Sequence, residues 1–320
     1  MNKILVTGSA GLIGSALTRK LRNTGYEVID CDIRSKNNPL SFFSEDIQPI
    51  LKECKGIIHL AAISRVIHGE QYPQLCEEVN VSGSKKFLEF YENLPHKPWL
   101  IYGSSREVYG NQDNLPVVED AALNPVNTYA KGKVEIEHRI KKLEKQGFNT
   151  VILRFSNVYG GLLDHYDRVI PAFCINALKD NTIRIDGKEC VFDFTYIEDV
   201  VEGILLAVEK LMSFQQIGLP VHLTGCRGCN LDELVRIIMD ITGSKSPIDY
   251  RPPRNFDVSC FYGDFSNAHK LLGWKPKYSL EEGIEKFISD IQNAVTDCPY
   301  NVEMQIYENI KSYSWLPSLL

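Results

Sequence analysis

Residues 3–14 are Lys3-Ile4-Leu5-Val6-Thr7-Gly8-Ser9-Ala10-Gly11-Leu12-Ile13-Gly14. A short apolar run is followed here by three glycines, each three positions after the last. Short runs rich in β-branched residues form buried strands. Apolar residues at helical spacing continue from the last glycine: Leu12, Ala16, Leu17 and Leu21. This stretch therefore predicts a strand, a glycine-rich turn and a helix.

A strand, a glycine-rich turn and a helix in this order form a cradle for the pyrophosphate of a dinucleotide. Gly8 permits the tight turn, Gly11 lets the backbone approach the phosphates, and Gly14 lets helix and strand pack closely. The N–H groups and partial positive charge of the helix N-terminus favour an anion there. The alternative is an ordinary turn between a strand and a helix, because glycine loops are common.

A carboxylate after the turn favours the cradle. Asp32 ends the predicted second strand, eighteen residues after Gly14. The carboxylate that accepts from the adenosine ribose hydroxyls is expected after about 20 residues. Such a carboxylate repels a 2′-phosphate, so the sequence predicts NAD rather than NADP as the cofactor. Arg34 weakens that preference, and Asp30 is interpreted as a strand-end carboxylate.

The composition is that of an ordinary globular protein. The chain has 320 residues, of which 44% are hydrophobic and 24% are charged, enough for one large core or two modest domains. A net charge of −6 argues against nucleic acid as a partner. No apolar run has the length of a membrane span, and the first strand begins at residue 3, so we expect no membrane partner and no signal peptide.

The nine cysteines are scattered singly through predicted strands and helices. This usage is typical of reduced thiols and predicts a cytoplasmic location. One pair, Cys226-x-x-Cys229, has the spacing of a metal or redox motif. It lacks a second pair or a histidine at ligand spacing, so we predict no metal site.

Strands and helices alternate through the first half of the chain. This order predicts an α/β fold, a Rossmann-type doubly wound parallel sheet with helices on both faces. We assign residues 1–161 to an NAD-binding domain, with a return to it over residues 190–225. Residues 162–320 are assigned mainly to a smaller, mainly helical substrate-binding domain. The crevice between the two is the expected ligand site.

Two residues on a predicted helix over residues 127–146 suggest the chemistry. Tyr129 and Lys133 lie four positions apart and therefore on one helix face. An ammonium near a phenol lowers the phenol pKa from about 10, which makes Tyr129 a base for a substrate hydroxyl. Ser105, at the end of the preceding strand, is placed to orient the same hydroxyl. The alternative is a surface pair, since this spacing is common by chance.

A series of motifs runs through nearly the whole chain: Thr7-Gly8-x-x-Gly11-x-x-Gly14, His59-Leu60-Ala61-Ala62, Asn80-Val81-x-Gly83, Ser104-Ser105-x-x-Val108-Tyr109-Gly110, Tyr129-x-x-x-Lys133, Arg154-Phe155-x-Asn157-Val158-Tyr159-Gly160, Asp193-Phe194-Thr195-Tyr196 and Leu272-Gly273-Trp274-Lys275-Pro276. With these motifs in this order the sequence resembles the extended short-chain dehydrogenase/reductase family. The resemblance is to its NAD-dependent nucleotide-sugar epimerase/dehydratase branch.

The resemblance implies a mechanism in which NAD stays bound. Tyr129 removes the proton from the sugar C4 hydroxyl while hydride passes to the nicotinamide, Lys133 holds the nicotinamide ribose, and Ser105 hydrogen-bonds the reacting oxygen. Asp46 and Ile47 match the positions that meet adenine. The full set of implied cofactor contacts is Gly8, Gly11, Leu12, Ile13, Gly14, Asp32, Asp46, Ile47, Leu60, Ala61, Ala62, Asn80, Tyr129 and Lys133.

The resemblance also implies contacts to a nucleotide-diphosphate sugar. Asn157 matches a contact to its phosphate, and Arg254 matches a pyrophosphate-binding arginine. The alternatives are a turn-capping asparagine and an exposed loop charge.

In one departure from the family pattern, Phe192 replaces the arginine that usually precedes Asp193 and clamps the diphosphate. The clamp then loses one charge-assisted bidentate partner. Arg184 and Arg251 are the candidates to compensate.

The second departure is Ser105-Arg106-Glu107, which resembles the Ser/Thr-x-Glu of 4,6-dehydratases and C5-carboxylate decarboxylases. In dehydratases this Glu removes the C5 proton, often with an Asp before it as the acid for C6. Arg106 cannot be that acid, because a guanidinium stays protonated. It is instead a candidate to bind a substrate carboxylate or to neutralise Glu107.

We therefore predict an enzyme, an NAD-dependent nucleotide-sugar epimerase that oxidises C4 with Ser105, Tyr129 and Lys133. The alternative is a 4,6-dehydratase or related C4 oxidoreductase that uses Glu107 as the C5 base. The non-enzyme alternative is a dinucleotide-binding sensor that has lost the chemistry. Such proteins typically lose the tyrosine or the lysine, and this chain has both, Tyr129 and Lys133.

The resemblance further implies a homodimer through a four-helix interface, near residues 82–93 and 129–146. The apolar positions on these helices are Phe87, Phe90, Ile136 and Ile140. The alternative is that all four pack on the sheet of their own chain.

Overall fold

The structure is a computed structural model that describes residues 2–35, 38–218 and 220–297. Its strands are β1 (Lys3–Thr7), β2 (Glu27–Cys31), β3 (Gly56–His59), β4 (Trp99–Ser105), β5 (Thr150–Phe155), β6 (Asn157–Tyr159), β7 (Ile183–Asp186), β8 (Val191–Tyr196), β9 (Val221–Leu223), β10 (Gly228–Asn230) and β11 (Ile248–Arg251). Its helices are α1 (Leu12–Asn23), α2 (Ile47–Leu51), α3 (Val66–Gln71), α4 (Pro73–Glu77), α5 (Ser84–Glu92), α6 (Thr128–Lys145), α7 (Val169–Leu178), α8 (Ile197–Met212), α9 (Leu231–Thr242), α10 (Ser266–Leu272) and α11 (Leu280–Asp297).

The central sheet has six parallel strands in the order β2-β1-β3-β4-β5-β9. From β1 the chain crosses first to β2 on one side and then to β3 on the other. The order of winding therefore reverses between β1 and β3, and ligands bind at the carboxyl ends of strands at such a reversal. The predicted α/β fold with a doubly wound parallel sheet is confirmed.

Helices cover both faces of this sheet, which explains the continuous apolar runs of its strands. On one face Leu17 of α1 and Val208 of α8 belong to the larger apolar core with Ile4 and Val6. On the other face Phe87 of α5 and the apolar side of α6 pack with a second set of strand residues.

Two small sheets, β10-β8-β6 and β11-β7, lie outside the central sheet and are associated with α7, α9 and α11. The strand β9, which follows α8, pairs with β5 and so belongs to the central sheet. The division of the chain into domains at residue 161 stays a prediction.

The apolar positions expected at a subunit interface are mostly covered within the chain. Phe87, Ile136 and Ile140 are fully buried against the central sheet, and Phe90 is half-buried with Lys86 over its ring. The expectation that these side chains form the contact between subunits is therefore wrong for three of the four. Helical pattern alone could not distinguish a sheet from a second subunit as the surface that covers them.

Candidate active site

A cavity of about 1150 Å³ lies at the carboxyl ends of β1, β3, β4 and β5. Its walls include the glycine-rich turn, the residues that follow β3 and β4, one face of α6, and part of β8 with the segment after β11. The central sheet thus forms one side of the cavity and the small sheets the other.

The glycine-rich turn has the close approaches that require glycine. Gly8 has φ of 73°, and a Cβ on it would lie 2.8 Å from the backbone nitrogen of Ala61. A Cβ on Gly14 would lie 2.1 Å from the carbonyl oxygen of Gly8. No side chain caps the N-terminus of α1 at Gly11. The turn therefore fits the pyrophosphate of a dinucleotide, and Leu12 and Ile13 lie on the cavity wall with it.

Asp32 faces the cavity from the end of β2, while Asp30 is at the surface with Arg22. One oxygen of the Asp32 carboxylate accepts from the backbone nitrogen of Ala10 at 3.1 Å. The guanidinium of Arg34 donates to both oxygens, from Nε and Nη2, each at 3.1 Å. The predicted ribose acceptor is thus already paired with an arginine.

The residues after β3 are held by a buried threonine. Thr7 Oγ1 accepts from the N–H groups of Leu60 and Ala61 at 3.2 and 3.1 Å, and lies 2.7 Å from Nδ1 of His59. Because the threonine already accepts twice, its own O–H donates to His59. Burial lowers the pKa of His59 to about 3, so the ring is neutral. This support places Leu60, Ala61 and Ala62 on the cavity wall.

Three predicted cofactor contacts do not lie on the cavity. Asp46 is exposed and accepts from Ser44, and Ile47 is fully buried in the core. Asn80 is buried, where it accepts from the N–H of Ile63 and donates to its carbonyl. Contact of these three residues with the cofactor stays a prediction. From the loop before α2 it is Phe42, Phe43 and Ser44 that line the cavity.

Ser105, Tyr129 and Lys133 converge on one wall of the cavity. Tyr129 and Lys133 lie on α6 as predicted, and Ser105 is the last residue of β4. Lys133 Nζ donates to the carbonyl of Gly103 at 2.7 Å and lies 5.7 Å from the centre of the Tyr129 ring.

Burial has the largest effect on the pKa of both Tyr129 and Lys133. It raises the pKa of Tyr129, against the lowering effect of the hydrogen bond to Ser105, and it lowers the pKa of Lys133 to about 8. The expectation that Lys133 brings the Tyr129 pKa below 10 is therefore wrong. Desolvation of the phenolate outweighs an ammonium at this distance.

Glu107 lies on the cavity wall, and each of its carboxylate oxygens contacts one partner. Oε1 is 2.8 Å from Nη2 of Arg106, and Oε2 accepts from the side-chain amide of Asn127 at 2.9 Å. Asn127 also caps α6 through its carbonyl oxygen, which bonds the N–H of Ala130. An asparagine before a helix predicts such a cap, but its second contact to Glu107 has no sequence signal.

The guanidinium of Arg106 is buried between aromatic rings. Its carbon lies 5.2 Å from the ring centre of Phe192 and 5.7 Å from that of Phe261. Nη1 has no hydrogen-bond partner among the described residues. The two departures from the family pattern, Arg106 and Phe192, thus meet at one point of the wall.

The predicted diphosphate contacts are on the side of the cavity away from the central sheet. Arg254 lines it and pairs with Asp257 at 2.6 Å. Asn157 also lines it and donates to the carbonyl of Asp193 at 3.0 Å. Of the two compensating candidates, Arg184 lies on the wall, whereas Arg251 pairs with Asp249 and is not among the lining residues.

A buried ion pair that the sequence analysis missed supports the strand that carries Ser105. Glu137, one turn after Lys133 on α6, accepts from Nε and Nη2 of Arg154 at 2.9 and 2.6 Å. It also accepts from Ser104 at 2.6 Å, and its charge opposes the lowering of the Lys133 pKa. Only the presence of Arg154 in a motif signalled its importance.

Among residues 2–35, 38–218 and 220–297, no group of three or more His, Cys, Asp and Glu side chains could hold a metal ion. Within the same ranges no helix has the length and apolar character needed to cross a membrane.

Comparison with known proteins identifies the family. The model of the NAD dependent epimerase/dehydratase family matches residues 4–217. The chain belongs to this family. The resemblance inferred from the motifs is confirmed, and so is the prediction of an enzyme with NAD as its cofactor.

Relatives of this NAD-dependent epimerase/dehydratase include several epimerases. A solved UDP-glucose 4-epimerase of Thermotoga maritima is 30% identical, with a TM-score of 0.84 over 92% of this chain and 99% of that one. The UDP-glucose 4-epimerase of Lactobacillus helveticus is 28% identical over 307 residues, 86% of this chain and 92% of the relative. A UDP-glucuronic acid 4-epimerase of Bacillus cereus, solved with NAD, is 25% identical with a TM-score of 0.83 over 91% and 99%. The predicted epimerase function agrees with these relatives.

Proposed function

We propose that this enzyme is a UDP-hexose 4-epimerase that works through a transient 4-keto sugar. The observation that carries the proposal is that Ser105, Tyr129 and Lys133 line the same cavity as the glycine-rich turn. The similarity to UDP-sugar 4-epimerases supports the choice of substrate class.

The size of the cavity supports two ligands at once. Pockets for one drug-sized ligand typically have about 300–1,000 Å³. The cavity here has about 1150 Å³ and reaches from the glycine-rich turn to Arg254. A dinucleotide along the central sheet and a nucleotide sugar along the small sheets share this volume.

In the proposed reaction the phenolate form of Tyr129 takes the proton of the C4 hydroxyl, and the resulting phenol returns it once the opposite face of the keto sugar is reduced. Ser105 hydrogen-bonds the reacting oxygen. Bound NAD supplies the acceptor, and later the donor, of the hydride at C4. Lys133, fixed on the Gly103 carbonyl, holds its positive charge beside Tyr129.

For the diphosphate of the substrate we propose Arg254, Asn157 and Arg184. All three lie on the cavity wall opposite the central sheet. Phe192 stands where the family usually has a diphosphate-binding arginine, and Arg184 is the candidate to replace that arginine. Asp186, the ion-pair partner of Arg184, lies on the same wall.

A 4,6-dehydratase is the second candidate, because Glu107 lies on the cavity wall. A C5 base needs a carboxylate oxygen that can approach the C5 proton. Here one oxygen bonds Arg106 and the other bonds Asn127. The contacts of Glu107 thus favour a role in holding Arg106, and with it the epimerase.

We further propose that the enzyme is cytoplasmic and forms a homodimer through the outer faces of α5 and α6. Two ion pairs already link these helices, Lys85 with Glu135 and Arg139 with Glu92. Light scattering at micromolar concentration tests the dimer: twice the 36.3 kDa chain mass is expected, and a single chain mass contradicts it.

Product analysis tests the function. Purified enzyme is mixed with UDP-glucose, UDP-galactose, UDP-N-acetylglucosamine, UDP-glucuronic acid and dTDP-glucose, and the products are resolved by NMR. We expect the C4 epimer of at least one UDP-sugar. A 4-keto-6-deoxy product establishes the dehydratase instead, and a panel without turnover contradicts both.

A further inference from the structure

The cavity has an adenosine end, defined by residues 32–34, 40–44 and 86 on its wall. Among the lining residues of this end that the structure describes, Asp32 is the sole carboxylate. Arg34 and Lys86 are its cations, and Lys86 pairs with Glu45 at 3.1 Å. The adenosine end therefore has no uncompensated negative charge.

The ion pair at this end exposes its cation and hides its anion. The side chain of Arg34 is 30% exposed and that of Asp32 is 5% exposed. The Asp32 carboxylate accepts from the N–H groups of Ala10 and Arg34, and from Nε and Nη2 of Arg34. Nη2 also lies 3.4 Å from the position of a Cβ on Gly11, so the guanidinium rests against the glycine-rich turn.

A carboxylate at the end of the second strand disfavours NADP because it repels the 2′-phosphate. A guanidinium bound to both oxygens removes most of that repulsion. It also carries N–H groups in the planar arrangement that binds a phosphate through two hydrogen bonds. An arginine close to the ribose site is how doubly wound folds accommodate a 2′-phosphate.

We propose that this enzyme binds NADP in the same cradle as NAD, and that Arg34 binds the 2′-phosphate. With NAD, Arg34 stays on Asp32, and the carboxylate remains within reach of the ribose hydroxyls. With NADP, Arg34 keeps the contact of its Nε with Asp32 and presents Nη1 and Nη2 to the phosphate. This goes beyond the proposed function and does not depend on which sugar is the substrate.

A competition experiment on the holoenzyme measures the preference directly. The enzyme is incubated with mixtures of NAD and NADP until the bound ratio is constant, free nucleotide is removed, and the bound nucleotides are released and quantified by chromatography. We expect NAD to be preferred by less than about tenfold, and Arg34→Ala to increase this preference at least about tenfold. Added salt is expected to increase it in the unmodified enzyme, because it weakens the exposed contact.

Arg22→Ala is the matched control, since Arg22 pairs with Asp30 of the same strand outside the cavity wall. It should leave the ratio unchanged, and Asp32→Asn should shift it towards NADP. If Arg34→Ala does not fold, Arg34→Gln serves in its place. A preference for NAD of about tenfold or more in the unmodified enzyme, or an unchanged ratio when Arg34 is replaced, overturns the proposal. Sugar products do not enter the ratio, so a failure here is distinct from a failure of the epimerase assignment.

Discussion

The guanidinium of Arg106 stacks on the ring of Phe192, with 5.2 Å between the guanidinium carbon and the ring centre. Each residue departs from the family pattern, and the presence of Arg106 accounts for an uncharged aromatic residue at position 192. An arginine in place of Phe192 would set a second guanidinium beside Arg106. The aromatic ring accepts the buried cation, while Glu107 compensates its charge.

Phe192→Arg is therefore expected to destabilise the protein. Two like charges about 5 Å apart cost on the order of 3 kcal/mol at an effective dielectric constant of about 20. Urea unfolding measures the free energy of unfolding, and Phe192→Leu is the control that removes the ring without adding charge. A Phe192→Arg protein as stable as Phe192→Leu contradicts the stacking argument.

Glu107→Gln keeps the shape of the side chain and removes its charge. We expect the free energy of unfolding to fall by about 1–3 kcal/mol, because Arg106 loses its buried anion. Epimerase turnover should be largely retained. If Glu107 is instead a C5 base, the unmodified enzyme exchanges the C5 proton with solvent and the variant does not, which NMR in D2O detects.

Tyr129→Phe should lower turnover by a factor of about 10²–10⁴ or more, because the phenol that moves the C4 proton is gone. Bound NAD, quantified after release from the purified protein, should stay near the level of the unmodified enzyme. Tyr102→Phe is the control, because the Tyr102 ring centre lies 4.7 Å from Lys133 Nζ but Tyr102 is not on the cavity wall. Normal turnover in Tyr129→Phe would falsify its assignment as the base.

The desolvated Lys133 predicts a dependence of stability on pH. Its pKa is about 8 in the folded protein against 10.5 for the free side chain, so between these pH values the unfolded state binds more protons. Stability from this group therefore rises as the pH rises through that window. Relative to Lys133→Met, the unmodified protein should gain about 2 kcal/mol between pH 7 and 9.5. A difference between the two proteins that is independent of pH contradicts the burial argument.

The sequence predicted the parts of the molecule that follow from local periodicity. The glycine-rich turn and α6 with its Tyr129 and Lys133 lie where the patterns indicated. These features depend on chain-local rules, namely glycine spacing, apolar runs and helical repeats.

Features that depend on which distant residue or surface completes a contact could not be predicted from the sequence. The apolar side of α6 has the same pattern whether a sheet or a second subunit covers it, and Ile136 is buried on the sheet. The contacts of Glu107 with Asn127, and of Arg106 with Phe192, join residues that are distant along the chain. The raised pKa of Tyr129 follows from burial, which spacing does not reveal.

The central claim is that C4 is oxidised and reduced while C5 is untouched. The most direct test incubates the enzyme in D2O with the UDP-sugar of the panel that it epimerises, and follows the product by NMR. We expect the C4 epimer with protium at both C4 and C5. Deuterium at C5, or a 4-keto-6-deoxy sugar, would contradict it.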